Sequence, residues 1–155
     1  MRVRVPEFSD IATVSDIMVR SFRSAFSDFV SPETMAACTN EENCRRMLED
    51  LYSGGTMHFL MSDEGGMLVW QDTEAGPEIV ALHTLPCTRG TGLGQALMAQ
   101  ALADIGPRPV FLWAFEENSR ARRFYENLGF SQDGQARVSE FDGAMEVRYI
   151  KYPSP

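Results

Sequence analysis

Residues 87–95 read Cys-Thr-Arg-Gly-Thr-Gly-Leu-Gly-Gln, with glycine at every second position from Gly90 to Gly94. An apolar run that stops at Pro86 precedes this stretch, and a segment rich in Ala, Leu, Met and Gln follows it. The order constrains the fold to a strand that passes through a glycine turn directly into a helix N-terminus. Glycines admit positive φ and let a ligand approach the backbone closely, while the unpaired N–H groups of the first helical turn and the helix dipole attract an anion. The loop is therefore expected to hold phosphates on backbone amides, with Arg89 adding charge. Two familiar phosphate loops do not fit. A Walker A loop needs Lys and then Ser or Thr after its last glycine, where Gln95 and Ala96 stand. The dinucleotide pattern G-x-G-x-x-G fails because Gly90, Gly92 and Gly94 are followed by Gln95, and no acidic residue ends the next strand at Phe115.

The flanks supply the rest of the architecture. Residues 1–5 read as a short strand, and Ser9 as the N-cap of a helix with Ile11, Val14, Met18, Phe22 and Ala25 on its apolar face. Ser31-Pro32 starts a second helix, and a capping box from Thr39 to Glu42 precedes a third that carries Cys44, Met47, Leu48 and Leu51. Residues 57–62 and 67–71 form a hairpin about Asp63-Glu64-Gly65-Gly66, and residues 78–85 form a fourth strand. A helix over 93–104 leads to a buried strand over 110–115, a strand–helix–strand order that implies parallel pairing. Asn118 caps a helix carrying Ala121, Phe124, Tyr125 and Leu128 that ends at Gly129, and residues 130–137 and 145–152 make a last strand pair.

The 155 residues, 44% hydrophobic and 23% charged, fit one globular domain over 1–155. A formal charge of −8 repels phosphate backbones, which argues against nucleic acid as a partner, and mildly favours a cationic substrate. Cys38, Cys44 and Cys87 are odd in number and lack metal-ligand spacing, so reduced thiols and no metal site are expected. No apolar stretch resembles a signal peptide or reaches membrane-spanning length, which predicts a cytoplasmic protein with no membrane partner.

Arg89-x-x-Gly92-x-Gly94 matches the R/Q-x-x-G-x-G/A signature of the GNAT superfamily of N-acetyltransferases, with Pro86 placed as it commonly is there. Downstream, Asn118, Ala121, Phe124, Tyr125, Leu128, Gly129 and Phe130 resemble that family's second landmark, N-x-x-A-x-x-F-Y-x-x-L-G-F. The resemblance is close over residues 78–130 and looser elsewhere. It implies an α/β (α+β) fold with a mixed, mostly antiparallel central sheet of about seven strands flanked by about four helices. It also implies an acyltransferase that moves an acetyl group from acetyl-CoA to an amine.

On the same resemblance the CoA pyrophosphate lies on Arg89, Gly90, Thr91, Gly92, Leu93, Gly94 and Gln95. The pantetheine arm pairs with the fourth strand at Leu82, His83 and Thr84, and a backbone N–H near Thr84 faces the thioester oxygen. Asn118 reaches the cofactor as well as capping its helix. Tyr125 falls where many members keep the acid that protonates the leaving sulfur. Glu78 leads as the base, with His83 or a water chain as alternatives. Phe22, Phe26, Phe29, His58, Trp70 and Trp113 are expected to line the acceptor site or to pack in the core. A small-molecule amine leads as acceptor, with a protein N-terminus or lysine as the alternative. A catalytically silent acyl-CoA sensor is a further reading, and relatives commonly form homodimers through the C-terminal strands.

Overall fold

The computed structural model describes residues 2–140 and 142–154. Helix α1, Ile11–Phe26, buries Ile11, Val14 and Ile17 against Phe59, Met61, Met67 and Val69. Its cap is Asp10 rather than Ser9, which lies in a preceding 3₁₀ turn, Phe8–Asp10. Helix α2, Pro32–Cys38, starts as expected, with the Ser31 hydroxyl accepting from the Thr34 N–H. In α3, Glu41–Gly54, Asn40 is the cap, accepting from the Asn43 N–H, and Thr39 instead bonds back to the Met35 carbonyl, so a single cap one residue on takes the place of the expected capping box.

The sheet comprises β1 Met57–Ser62, β2 Gly66–Thr73, β3 Gly76–Thr84, β4 Val110–Phe115, β5 Ser131–Val138 and β6 Met145–Lys151, in the order β1-β2-β3-β4-β6-β5. All neighbours are antiparallel except β3 and β4, joined through α4, Leu93–Ile105. Among the described residues the sheet has six strands, close to the seven or so expected. At the N-terminus only Arg4 pairs, with Met61, and Met1 of the expected strand lies outside the described residues. Pro6 has no N–H to continue that ladder, and the Arg4 side chain is held instead by Asp10 and Asp63. Among the described residues there are five α-helices, with α5 at Ser119–Asn127, where about four were expected.

Helix α4 buries Leu93, Leu97, Met98, Ala101 and Ile105 on one face of the sheet against Leu60, Leu68, Trp70 and Leu112, and α1 with α3 covers part of the other. Among the described residues no helix is long and apolar enough to cross a membrane.

Candidate active site

The parallel pair β3–β4 joins only at Glu78↔Phe111 and Ile79↔Leu112. Beyond Ile79 the β3 edge has no strand partner on that side, and its backbone groups are open to a ligand. Two cavities occupy this opening. One, of about 440 Å³, lies under α1 and α3 and reaches Trp113, Phe115 and Glu146; the other, of about 610 Å³, runs to the glycine loop. They share Phe26, Leu82, His83, Asn118, Ala121 and Tyr125, so a molecule in each meets the other at that junction.

The loop-side cavity carries the features that suit an anion. Gly90 and Gly92 take φ of 80° and 88°, and Gly92 caps α4 without any side-chain acceptor, leaving the first-turn N–H groups open. Gly94 serves packing: a Cβ there would stand 3.1 Å from the Phe124 ring, so its absence lets α4 and α5 approach. Arg89 and Arg120 converge on the same cavity, and desolvation together with the charge of Arg120 lowers the pKa of Arg89 from its ordinary value. Two like charges so placed are relieved by a bound anion.

Most residues singled out in the sequence meet here. Arg89, Gly90, Gly92, Leu93, Gly94, Gln95 and Thr84 line the loop-side cavity, while Leu82, His83, Asn118 and Tyr125 stand at the junction. Thr91 does not line it. Its N–H and hydroxyl both turn back to the Thr88 carbonyl. Glu78 lines neither cavity: it lies where β3 and β4 still pair, and its carboxylate accepts from Gln71 Nε2 at 3.1 Å. Of the aromatic residues, Phe22, Phe26 and Trp113 line the helix-side cavity and Phe29 the loop-side one. His58 and Trp70 stack on each other at 3.9 Å elsewhere, with Trp70 in the α4 core.

Arg120 and Glu146 were not legible in advance. Arg120 follows from helix phase: Arg122 is bound to the Tyr149 hydroxyl and the Glu116 carbonyl, which leaves Arg120 to face the cavity. Glu146 reaches the site only through the register Phe115↔Glu146.

At the junction, burial holds His83 neutral, with its pKa pulled down to about 4, and its Nδ1 lies 3.2 Å from the Ser21 hydroxyl. Tyr125 packs on Phe124, Phe130 and Tyr149, and desolvation pushes its phenol up to about 12. Its proton is thus retained throughout the neutral range. No hydrogen bond to another described residue engages that hydroxyl.

The sequence profile of FR47-like proteins matches residues 58–139, more than half of the chain. The chain belongs to the FR47-like family. It is accordingly an acetyltransferase of the GNAT superfamily. An uncharacterized N-acetyltransferase of Mycobacterium tuberculosis is 27% identical over 134 residues, 81% of this chain and 86% of its own length. Mycothiol acetyltransferase of Thermobispora bispora is 34% identical over 122 residues, and the alignment takes in 70% of this FR47-like chain but only 40% of that enzyme. In fold, the chain resembles the PaiA N-acetyltransferase of Thermoplasma acidophilum, solved in complex with coenzyme A. The TM-score is 0.77 at 17% identity, covering 97% of this chain and 98% of that one.

Proposed function

We propose that residues 1–155 form one cytoplasmic N-acetyltransferase domain that moves the acetyl group of acetyl-CoA to a primary amine of a small molecule by direct attack in a ternary complex. The meeting of two cavities at one junction carries this reading, since a donor in the loop-side cavity and an acceptor in the other would touch only there. The PaiA enzyme bound to coenzyme A shares the fold, and the anion-ready loop of this chain fits a pyrophosphate.

The first-turn N–H groups of α4, with Arg89 and Arg120, would hold the pyrophosphate and neighbouring phosphate. The open β3 edge at Leu82, His83 and Thr84 would pair with the pantetheine amides and offer one N–H to the thioester oxygen as the amine attacks. As the tetrahedral intermediate collapses, the C–S bond breaks and the thiolate leaves. Tyr125 is the donor to that sulfur: its phenol still carries its proton, and its hydroxyl is uncommitted. Full transfer from so weak an acid to a thiolate is uphill. The phenol therefore stabilises the departing thiolate as a hydrogen-bond donor and keeps its proton, and the sulfur is protonated from water.

Glu78 lies outside the junction, so the amine's proton would reach it only along a chain of water. His83 stands at the junction as a neutral imidazole and is the better-placed base, although with its pKa pulled down to about 4 it would hold the proton only in passing and hand it on to water. Titrating the protein with acetyl-CoA, NAD and ATP tests the donor, and thiol release across an amine panel tests the transfer. Preference for NAD or ATP over acetyl-CoA would refute the assignment.

A further inference from the structure

The helix-side cavity has a chemical character of its own. Its walls are apolar and aromatic: Met18 and Phe22 from α1, Met47 from α3, and Trp113 and Phe115 from β4. The rings are already in contact, Phe22 with Phe26 at 4.6 Å and Phe26 with Phe115 at 5.3 Å between centroids. Against this stands one charged lining residue, Glu146.

Glu146 is held in place from the side away from the cavity. Its Oε1 accepts from Arg137 Nε at 2.9 Å, and the Arg137 guanidinium lies 4.2 Å over the Trp113 ring, so the cation is committed to both. Only 14% of the Glu146 side chain is exposed, and its Oε2 has no partner among the described residues. The carboxylate is also close to the chemistry, because Glu146 pairs across the sheet with Phe115, which packs on the junction residue Phe26.

Of the other polar side chains, two are occupied, and Asn43 and the Tyr125 hydroxyl remain. Asn118 caps α5, and His83 is neutral and next to Ser21. Among the described residues no Lys or Arg lines the cavity to meet a carboxylate or phosphate, and few groups are left to satisfy sugar hydroxyls, each of which costs free energy if buried unpaired.

We propose that the acceptor is an arylalkylamine, an aromatic body on a short chain ending in a primary ammonium and carrying no anionic group, and that Glu146 is the specificity-determining residue that receives the ammonium. This rests on the acetyl-transfer reading above and deepens it. The aromatic body lies among Met18, Phe22, Met47 and Trp113, in a cavity of a size usual for small ligands. The ammonium meets Glu146 Oε2 and the ring faces beside it before it moves to the junction and gives up its proton there.

Phenethylamine, spermidine, glucosamine and phenylalanine, compared as acceptors with acetyl-CoA, and as ligands of the enzyme–CoA complex by calorimetry, decide the matter. Phenethylamine is expected to bind that complex and to exceed each of the others at least tenfold in kcat/KM. Glu146→Gln is expected to raise KM for phenethylamine about tenfold with a smaller change in kcat. Inhibition by 2-phenylethanol, which has the same shape without the charge, should stay as in wild type and so reports that the cavity is intact. An enzyme–CoA complex that ignores phenethylamine, or a higher kcat/KM for spermidine, glucosamine or phenylalanine, overturns the proposal. So does an unchanged KM in Glu146→Gln, or parallel loss of 2-phenylethanol binding. Failure to bind acetyl-CoA at all would instead bring down the acetyl-transfer reading beneath it.

Discussion

Tyr125 and His83 share the junction and are both displaced by burial, in opposite chemical senses. Desolvation keeps the phenol protonated and the imidazole unprotonated, so one holds a proton to give and the other a lone pair to offer. Tyr125→Phe removes the donor and little volume. Its kcat is expected to fall about 100-fold, the low end of general-acid effects, with acetyl-CoA affinity unchanged; equal losses in affinity and kcat would mark Tyr125 as a packing residue. The His83 shift also couples stability to pH. The unfolded chain takes up a proton near pH 6.5 that the folded site refuses until about 4, so stability is lost as pH falls through that window and is indifferent to His83 above it. Urea midpoints at pH 5 and pH 7.5 should differ more in wild type than in His83→Asn. A wild type whose stability is flat between these two values would contradict the neutral imidazole.

Element packing places that junction. Helix α5 is fixed to β6 by the fully buried Tyr149, whose hydroxyl accepts from Arg122 Nε at 2.9 Å and donates to Glu126 at 2.7 Å. Tyr149→Phe should cost roughly 1–3 kcal/mol, read as a lower thermal midpoint, because it takes a partner from Arg122, Gln132 and Glu126 in a part-buried network. The same variant should lower kcat, since Tyr125 rides on that helix; wild-type kcat with lowered stability would separate the two. Gly94→Val drives a side chain into Phe124, already 3.1 Å from a bare Cβ, and should weaken acetyl-CoA binding at least tenfold by pushing α5 from α4. Unaltered affinity would mean that the two helices are not in register with the loop as described.

These elements were also the ones most legible in the sequence, because each carries its own local code. The glycine loop, the Asn118 cap and the strand at Val110–Phe115 are written in consecutive residues. What escaped is nonlocal. Glu78 and Glu146 are both strand carboxylates, and only the short β3–β4 pairing and the β4–β6 register decide that the second, not the first, faces the cleft. Arg120 and Arg122 differ only in helix phase, and the N-terminal strand fails for want of a second pairing residue.

At the scale of the molecule, the sheet is two antiparallel units, β1-β2-β3 and β4-β6-β5, joined by a parallel seam of two residue pairs. The site straddles that seam: Leu82, His83 and Thr84 come from one unit, and Asn118, Arg120 and Tyr125 belong to the other. A donor seated there adds contacts to both sides at the weakest join of the sheet and offsets the repulsion between Arg89 and Arg120. Binding to the folded state alone stabilises it by about 2.7 kcal/mol at a ligand concentration 100-fold above Kd. For a chain of this length that corresponds to a rise of roughly 5–10 °C in Tm. Acetyl-CoA should produce such a rise and 2-phenylethanol alone a smaller one, because the helix-side cavity lacks the charged loop. The acetyl-CoA shift should shrink in high salt, since the phosphates would be held by Arg89 and Arg120 and added ions screen that attraction. A shift insensitive to both salt and Arg120→Ala would locate the stabilising contacts away from the loop and argue against a phosphate bound at the head of α4.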